Sequence, residues 1–247
     1  MKLDSFLDQL YDDLGWRKKE VSDLFGLSQT HDLEILRKSL LLILYSHWEG
    51  FIKNSSKEYL KYVGSLKIEL NKLTLNYKTI AMKGLISECY KTNDSLTLSS
   101  ELKFMEKFIQ KDSTKFKLEN KYLLDKDKSL INTHDNLSPD VFINFCNIIG
   151  ISEKDSIKTK RNYLDEFFLN NRNAISHGSK VDTQDSNEFN LTIESISKLK
   201  DIIFKIMDQF HDDLQEYASG CFYLNEFSEL KNEYDLSSNA KLLKSLE

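Results

Sequence analysis

From about residue 31 to residue 63 the chain carries the pattern of its longest helix, and that pattern limits what the rest can do. Its middle, Leu40-Leu41-Leu42-Ile43-Leu44-Tyr45-Ser46-His47-Trp48-Glu49-Gly50-Phe51-Ile52, is apolar nearly all the way round. A helix with no polar face must be surrounded on most sides, in a core or at a subunit interface. The remaining segments must therefore supply partners. With one proline and eight glycines in 247 residues, a turn-rich sandwich or barrel is excluded and helices are expected. The fold class read from the sequence is all-α.

Other helices follow from periodicity and end signals. Leu3, Phe6, Leu7, Leu10, Tyr11 and Leu14 predict a short amphipathic helix over 3–14, then a loop around Gly26-Leu27-Ser28. Thr30 is read as the cap of the long helix, with Asp32 and Glu34 in its first turn. Helices are predicted over 74–91 and 98–110, broken at Thr92–Ser95. Residues 111–137 are rich in lysine and asparagine with weak periodicity and read as an insert of loops and one short helix. Ser138-Pro139-Asp140 is a strong helix start, and Gly150 is a natural end. One helix is predicted over 156–177, a polar loop over 178–190 and a long helix over 192–218. The chain thus reads as one domain, 1–228, followed by a loosely ordered acidic tail, 229–247.

Composition excludes several function classes. Cys89, Cys146 and Cys221 stand alone, without CxxC pairs or histidines at metal-ligand spacing, so neither a disulfide scaffold nor a zinc site is expected. No glycine-rich phosphate loop is present, and neither a metal nor a cofactor is expected. The first residues lack the apolar core of a signal peptide. The run Leu40–Tyr45 is far shorter than the ~18 residues of a membrane span. A cytoplasmic protein with no membrane partner is expected. The net charge of −5 does not advertise a nucleic-acid binder. The charge is uneven, however: 201–247 is strongly acidic, whereas 153–180 is mildly basic.

The basic stretch holds the most informative residues, Asn171-Arg172-Asn173-Ala174-Ile175-Ser176-His177-Gly178. A guanidinium binds phosphate oxygens bidentately as charge builds on them. An imidazole titrates in the range needed to take a proton from a 2′-OH. Together they suffice for metal-independent RNA cleavage, with a 2′,3′-cyclic phosphate and a 5′-OH as products. Five positions on a continuous helix separate two side chains by about 140°. Cooperation of Arg172 and His177 therefore requires the helix to end near Gly178. Spacing alone is equally served by a surface arginine and a histidine complementing a helix C-terminus.

Arg-Asn-Ala-Ile-Ser-His-Gly resembles the R-x(4–6)-H signature of the HEPN superfamily, including the polar residue after the arginine. Leu44-Tyr45-Ser46-His47-Trp48-Glu49-Gly50-Phe51-Ile52-Lys53 is similar to the first core helix of bacterial MAE-type HEPN proteins. The resemblance covers roughly residues 30–220. It implies an all-α HEPN-like bundle with additional helices, pairing as a homodimer whose two motif copies form one RNA-cutting cleft. It implies that Arg172 and His177 are catalytic and that Asn173 orients the phosphate or the histidine. It further implies a toxin or phage-defence role, with an antitoxin or regulatory partner. A non-catalytic RNA- or nucleotide-binding module, or an antitoxin-like scaffold, is the alternative.

Three further residues are candidates for supporting roles. His47 and Glu49, two apart, point about 160° away from each other on a helix, so they cannot both line one cleft of the same chain. His47 is also read as a satisfied core or interface residue. Glu49 on an apolar helix needs a partner, and Arg172 is the candidate. Ser176 is a possible phosphate contact. Trp48, Phe51, Tyr59 and Tyr62 are read as core rather than as a base-stacking platform, and His31, His134 and His211 as surface residues.

Overall fold

The fold was taken from a computed structural model that describes residues 1–91, 98–125, 127–178 and 191–246. The chain is all-α, and 78% of the described residues are helical. No strand occurs among the described residues, which hold the isolated bridges Glu69–Lys115 and Leu73–Leu224. The helices are α1 (Leu3–Thr30), α2 (Glu34–Ser65), α3 (Leu75–Lys91), α4 (Ser99–Lys111), α5 (Lys121–Leu124), α6 (Pro139–Ile149), α7 (Asp155–Thr159), α8 (Arg161–Tyr163), α9 (Asn170–Ser176), α10 (Ile193–Ser219) and α11 (Ser228–Leu246). A π-helical turn, Leu164–Leu169, joins α8 to α9.

As the apolar run requires, α2 is the central helix. It is packed by α1, α6, α9 and α10. Trp48, Phe51, Tyr59 and Tyr62 are all core. Trp48 meets Phe142 of α6 at 5.4 Å, and Phe51 meets Phe210 of α10 at 6.4 Å.

The expected short first helix and loop are corrected: α1 runs unbroken for 28 residues. Gly15 and Gly26 lie inside it facing open space, where a helical glycine costs only about 1 kcal/mol. The buried stripe Phe6, Leu10, Leu14, Arg17 and Val21 docks the helix throughout. Thr30 is not the cap of α2; its hydroxyl donates back to Gly26 O. The two helices approach so closely at Gly50 that a Cβ there would lie 2.4 Å from Arg17 Nη1. The Arg17 side chain is 8% exposed, with its Nε 2.9 Å from Asp13 Oδ1 and its guanidinium 4.6 Å from the Trp16 ring centroid.

The ends of α6 follow the sequence: Ser138 Oγ accepts from Val141 N–H, and Gly150 stands at φ +87°. The predicted breaks at 92–95 and over 179–190 lie outside the described residues. The tail expected to be loosely ordered is instead α11. It docks on α10 and α7 through polar groups. Lys154 and Asp213, 4% and 3% exposed, pair at 3.2 Å. Ser238 and Tyr234 of α11 both donate to Asp213 Oδ1, and Asp235 accepts from Tyr217 and Ser152. A helix that buries Asp235 and Ser238 shows no apolar stripe to a sequence reading.

Candidate active site

The helix predicted over 156–177 is corrected in two places. It breaks at Lys160 after α7, and it is underwound to five-residue spacing at Leu164–Leu169, where Asn170 N–H donates to Asp165 O. Such turns recur at functional sites. Buried Asn171 donates from Nδ2 to Phe167 O at 2.7 Å and satisfies a carbonyl of the turn. Phe167 and Phe168 anchor the same turn in the core.

The helix then stops where the sequence requires. His177 has φ −89° and ψ 7°, its N–H donating to Asn173 O; Gly178 stands at φ +69°, its N–H donating to Ile175 O. The helical bond to Asn173 O keeps His177 on the last turn, and only the chain after it leaves the helix, so Arg172 and His177 of one chain stay on different sides of α9. His177 and Ser176 are exposed, and Arg172 and Asn173 half-buried.

Arg172 is held from two sides. Its Nη1 donates to Asn173 Oδ1 at 2.8 Å, and its guanidinium carbon lies 4.2 Å from the Tyr45 ring centroid. Asn173 thus has the arginine as its partner, where the resemblance implied a phosphate or the histidine. Three other cations of the basic stretch are paired: Lys154 to Asp213, Lys158 to Glu153 and Arg161 to Asp140. Arg172 meets no carboxylate at ion-pair distance among the described residues, so its charge is available to an anion.

The expected direct pair of Glu49 with Arg172 does not form. Half-buried Glu49 instead accepts from Thr133 Oγ1, and Tyr45, one turn before it on α2, is the residue that meets Arg172. Tyr45 is 2% exposed, accepts from Leu137 N–H at 2.7 Å, and meets Phe168 edge-on at 5.7 Å. Burial pushes its phenol up to about 12, with Glu49 adding to the shift while the Leu137 N–H and Arg172 oppose it, so it stays neutral. Tyr45, Thr133 and Leu137 are the site residues that sequence reasoning missed. Tyr45 and Glu49, four apart and so on one face of α2, were a legible signal; the loop residues gave none.

His47 faces the other way. Its Nε2 lies 2.7 Å from Glu20 Oε2, and its ring meets Trp16 edge-on at 5.0 Å, so its partners belong to α1. Burial lowers its pKa, opposed by the Glu20 bond, with Arg17 adding to the lowering. It packs α2 against α1 on a different face from Glu49, with Nε2 paired and its buried Nδ1 left without a hydrogen bond.

A family model described as "HEPN_MAE_28990:/-like HEPN" matches residues 6–223. The chain belongs to this HEPN family. HEPN domains are frequently ribonucleases. The match covers α1 to α10 and leaves α11 outside it. No curated protein and no solved structure matches the chain significantly. None of the described helices of this HEPN protein is long and apolar enough to cross a membrane. No group of three His, Cys, Asp or Glu side chains suited to a metal occurs among the described residues.

Proposed function

We propose that this HEPN chain is a metal-independent endoribonuclease acting as a homodimer, in a toxin or phage-defence role and under the control of a partner protein. The observation that carries the reading is Arg172. It is a half-buried guanidinium fixed by Tyr45 and Asn173, unclaimed by any carboxylate among the described residues, five residues before the exposed imidazole of His177. In the reaction, His177 takes the proton of the ribose 2′-OH and the 2′-oxygen forms a bond to phosphorus. The P–O5′ bond breaks, and the 5′-oxygen leaves with a proton from the second copy's imidazole or from water. Arg172 stabilises the negative charge that builds on the non-bridging oxygens, where positioned donors are most effective. The products are a 2′,3′-cyclic phosphate and a 5′-OH.

The test is incubation of the full chain with end-labelled RNA in EDTA. Cleavage is expected, with cyclic phosphate ends and complete resistance of a 2′-deoxy substrate. His177→Ala, which removes a general base, is expected to slow cutting by ~100- to 10,000-fold and Arg172→Ala comparably, both folding normally. Growth arrest on expression of wild type, relieved by His177→Ala, carries the toxin role. Intact RNA with pure wild-type protein sinks the nuclease reading and favours a non-catalytic RNA-binding or scaffold role.

A further inference from the structure

The central helix contributes a residue to the candidate site that the Arg/His motif does not contain. An arginine that must meet a phosphate bidentately has to surrender considerable side-chain entropy unless it is held beforehand. Asn173 engages one of five guanidinium N–H donors, which leaves the others to a ligand but does not by itself fix the group. The second hold is the buried ring of Tyr45, 4.2 Å beneath the guanidinium carbon.

That ring is unusually well anchored. Leu137 N–H donates to its oxygen at 2.7 Å. Glu49 accepts from Thr133 Oγ1. Thr133 and Leu137 flank a turn in which His134 and Asp135 stand at φ 48° and 62°. Consecutive left-handed residues other than glycine are costly, and they persist where surroundings over-determine them. Here they fold the chain back so that Thr133 and Leu137 both reach one face of α2.

We propose that Tyr45 is the positioning residue for Arg172, and that Glu49 and the Thr133–Leu137 turn lock it in place. The proposal rests on the ribonuclease reading for its catalytic consequence but not for its geometry. Tyr45→Leu removes the ring; Tyr45→Phe keeps it and loses only the anchor. On the scale of a cation–π contact, Tyr45→Leu is expected to lower kcat by roughly 2- to 30-fold and leave KM within a factor of about 2. Tyr45→Phe should fall between it and wild type. Tyr59→Phe, a buried tyrosine elsewhere on α2, should leave kcat unchanged. A fall confined to KM, or equal losses in Tyr45→Phe and Tyr45→Leu, overturns the proposal.

A second measurement stands apart from activity. In isotope-labelled protein, the Arg172 Nε–H resonance, identified by its loss in Arg172→Lys, should be shifted by the ring current of Tyr45. It should move to the range of solvated arginines in Tyr45→Leu and Glu49→Gln should displace it partway. A resonance that does not move between wild type and Tyr45→Leu overturns the positioning role. If wild type cuts no RNA yet the resonance behaves as expected, the ribonuclease reading fails and the hold on Arg172 stands.

Discussion

Replacing Gly50 by alanine sets two well-calibrated effects against each other. In the middle of a helix, Gly→Ala ordinarily stabilises by about 1 kcal/mol, because alanine has less backbone freedom to lose. At Gly50 the new Cβ would lie 2.4 Å from Arg17 Nη1 and 3.1 Å from its Cζ, distances no side chain tolerates. Arg17 must then leave a nearly buried seat, giving up its charge-assisted bond to Asp13, worth ~1.5–3 kcal/mol, and its contact with Trp16, worth ~0.5–2 kcal/mol. Losses of ~2–5 kcal/mol against a gain of about 1 leave a net destabilisation of roughly 1–4 kcal/mol. For a chain of this size that lowers Tm by roughly 2–4 °C per kcal/mol. Thermal unfolding followed by far-UV circular dichroism reads it directly. Gly15→Ala and Gly84→Ala, where nothing lies within 4 Å of the added atom, are the controls and should raise Tm. In an Arg17→Met background Gly50→Ala should become neutral or stabilising. A Gly50→Ala protein as stable as the Gly15→Ala control, or no rescue by Arg17→Met, refutes the steric argument.

Other perturbations test other parts of the fold. His47 has a folded pKa below its ordinary value of 6.5, so below about 6.5 the unfolded chain binds a proton the folded chain refuses. Stability should therefore fall as pH drops from about 6.5 through the folded pKa and level off beneath it; denaturant titrations should show a flatter profile for His47→Gln, and an unchanged one contradicts the assignment. Lys154→Met strands the buried Asp213 carboxylate and should cost roughly 3–5 kcal/mol, much of it recovered by adding Asp213→Leu; equal Tm for the single and double variants would remove the ion pair from the account of α11. Ser138→Ala should cost ~1 kcal/mol as a lost helix cap, readable as a shift in denaturation midpoint at constant slope.

Much of the scaffold was legible because apolar burial wrote it. The all-round apolar run of α2, the stripe of α10 and the Ser138-Pro139 and Gly150 signals of α6 each correspond to what the structure contains. Legibility failed where tertiary contacts outweighed local signals. Gly26 and Ser28 suggested a loop, but Val21 and Ser28 are buried against the bundle and the helix continues through them. In α11 polar Asp235 and Ser238 share the buried face with Leu242 and Leu246, so the hydrophobic periodicity was weak. At the site, Arg172, Asn173 and His177 were found by residue type and spacing. Glu49 was singled out as a carboxylate needing a partner, and it has one in Thr133, although not the expected one. The turn over 131–137 belonged to a stretch read as an insert of loops, and its contribution depends on backbone angles at His134 and Asp135 that side-chain identity leaves open.

The wide turn at Leu164–Leu169 makes the address of the motif a matter of counting. Each residue added to a helix without a full share of its pitch turns everything downstream by about 100° relative to what came before. Phe167 and Phe168 set the buried side of the rod, and the extra residue decides that the side chain arriving over Tyr45 is Arg172. Removing a single residue from the turn would leave Arg-Asn-Ala-Ile-Ser-His-Gly intact and rotate it to another side of the bundle. An alignment would score such a chain as carrying the motif, while its guanidinium no longer met the ring.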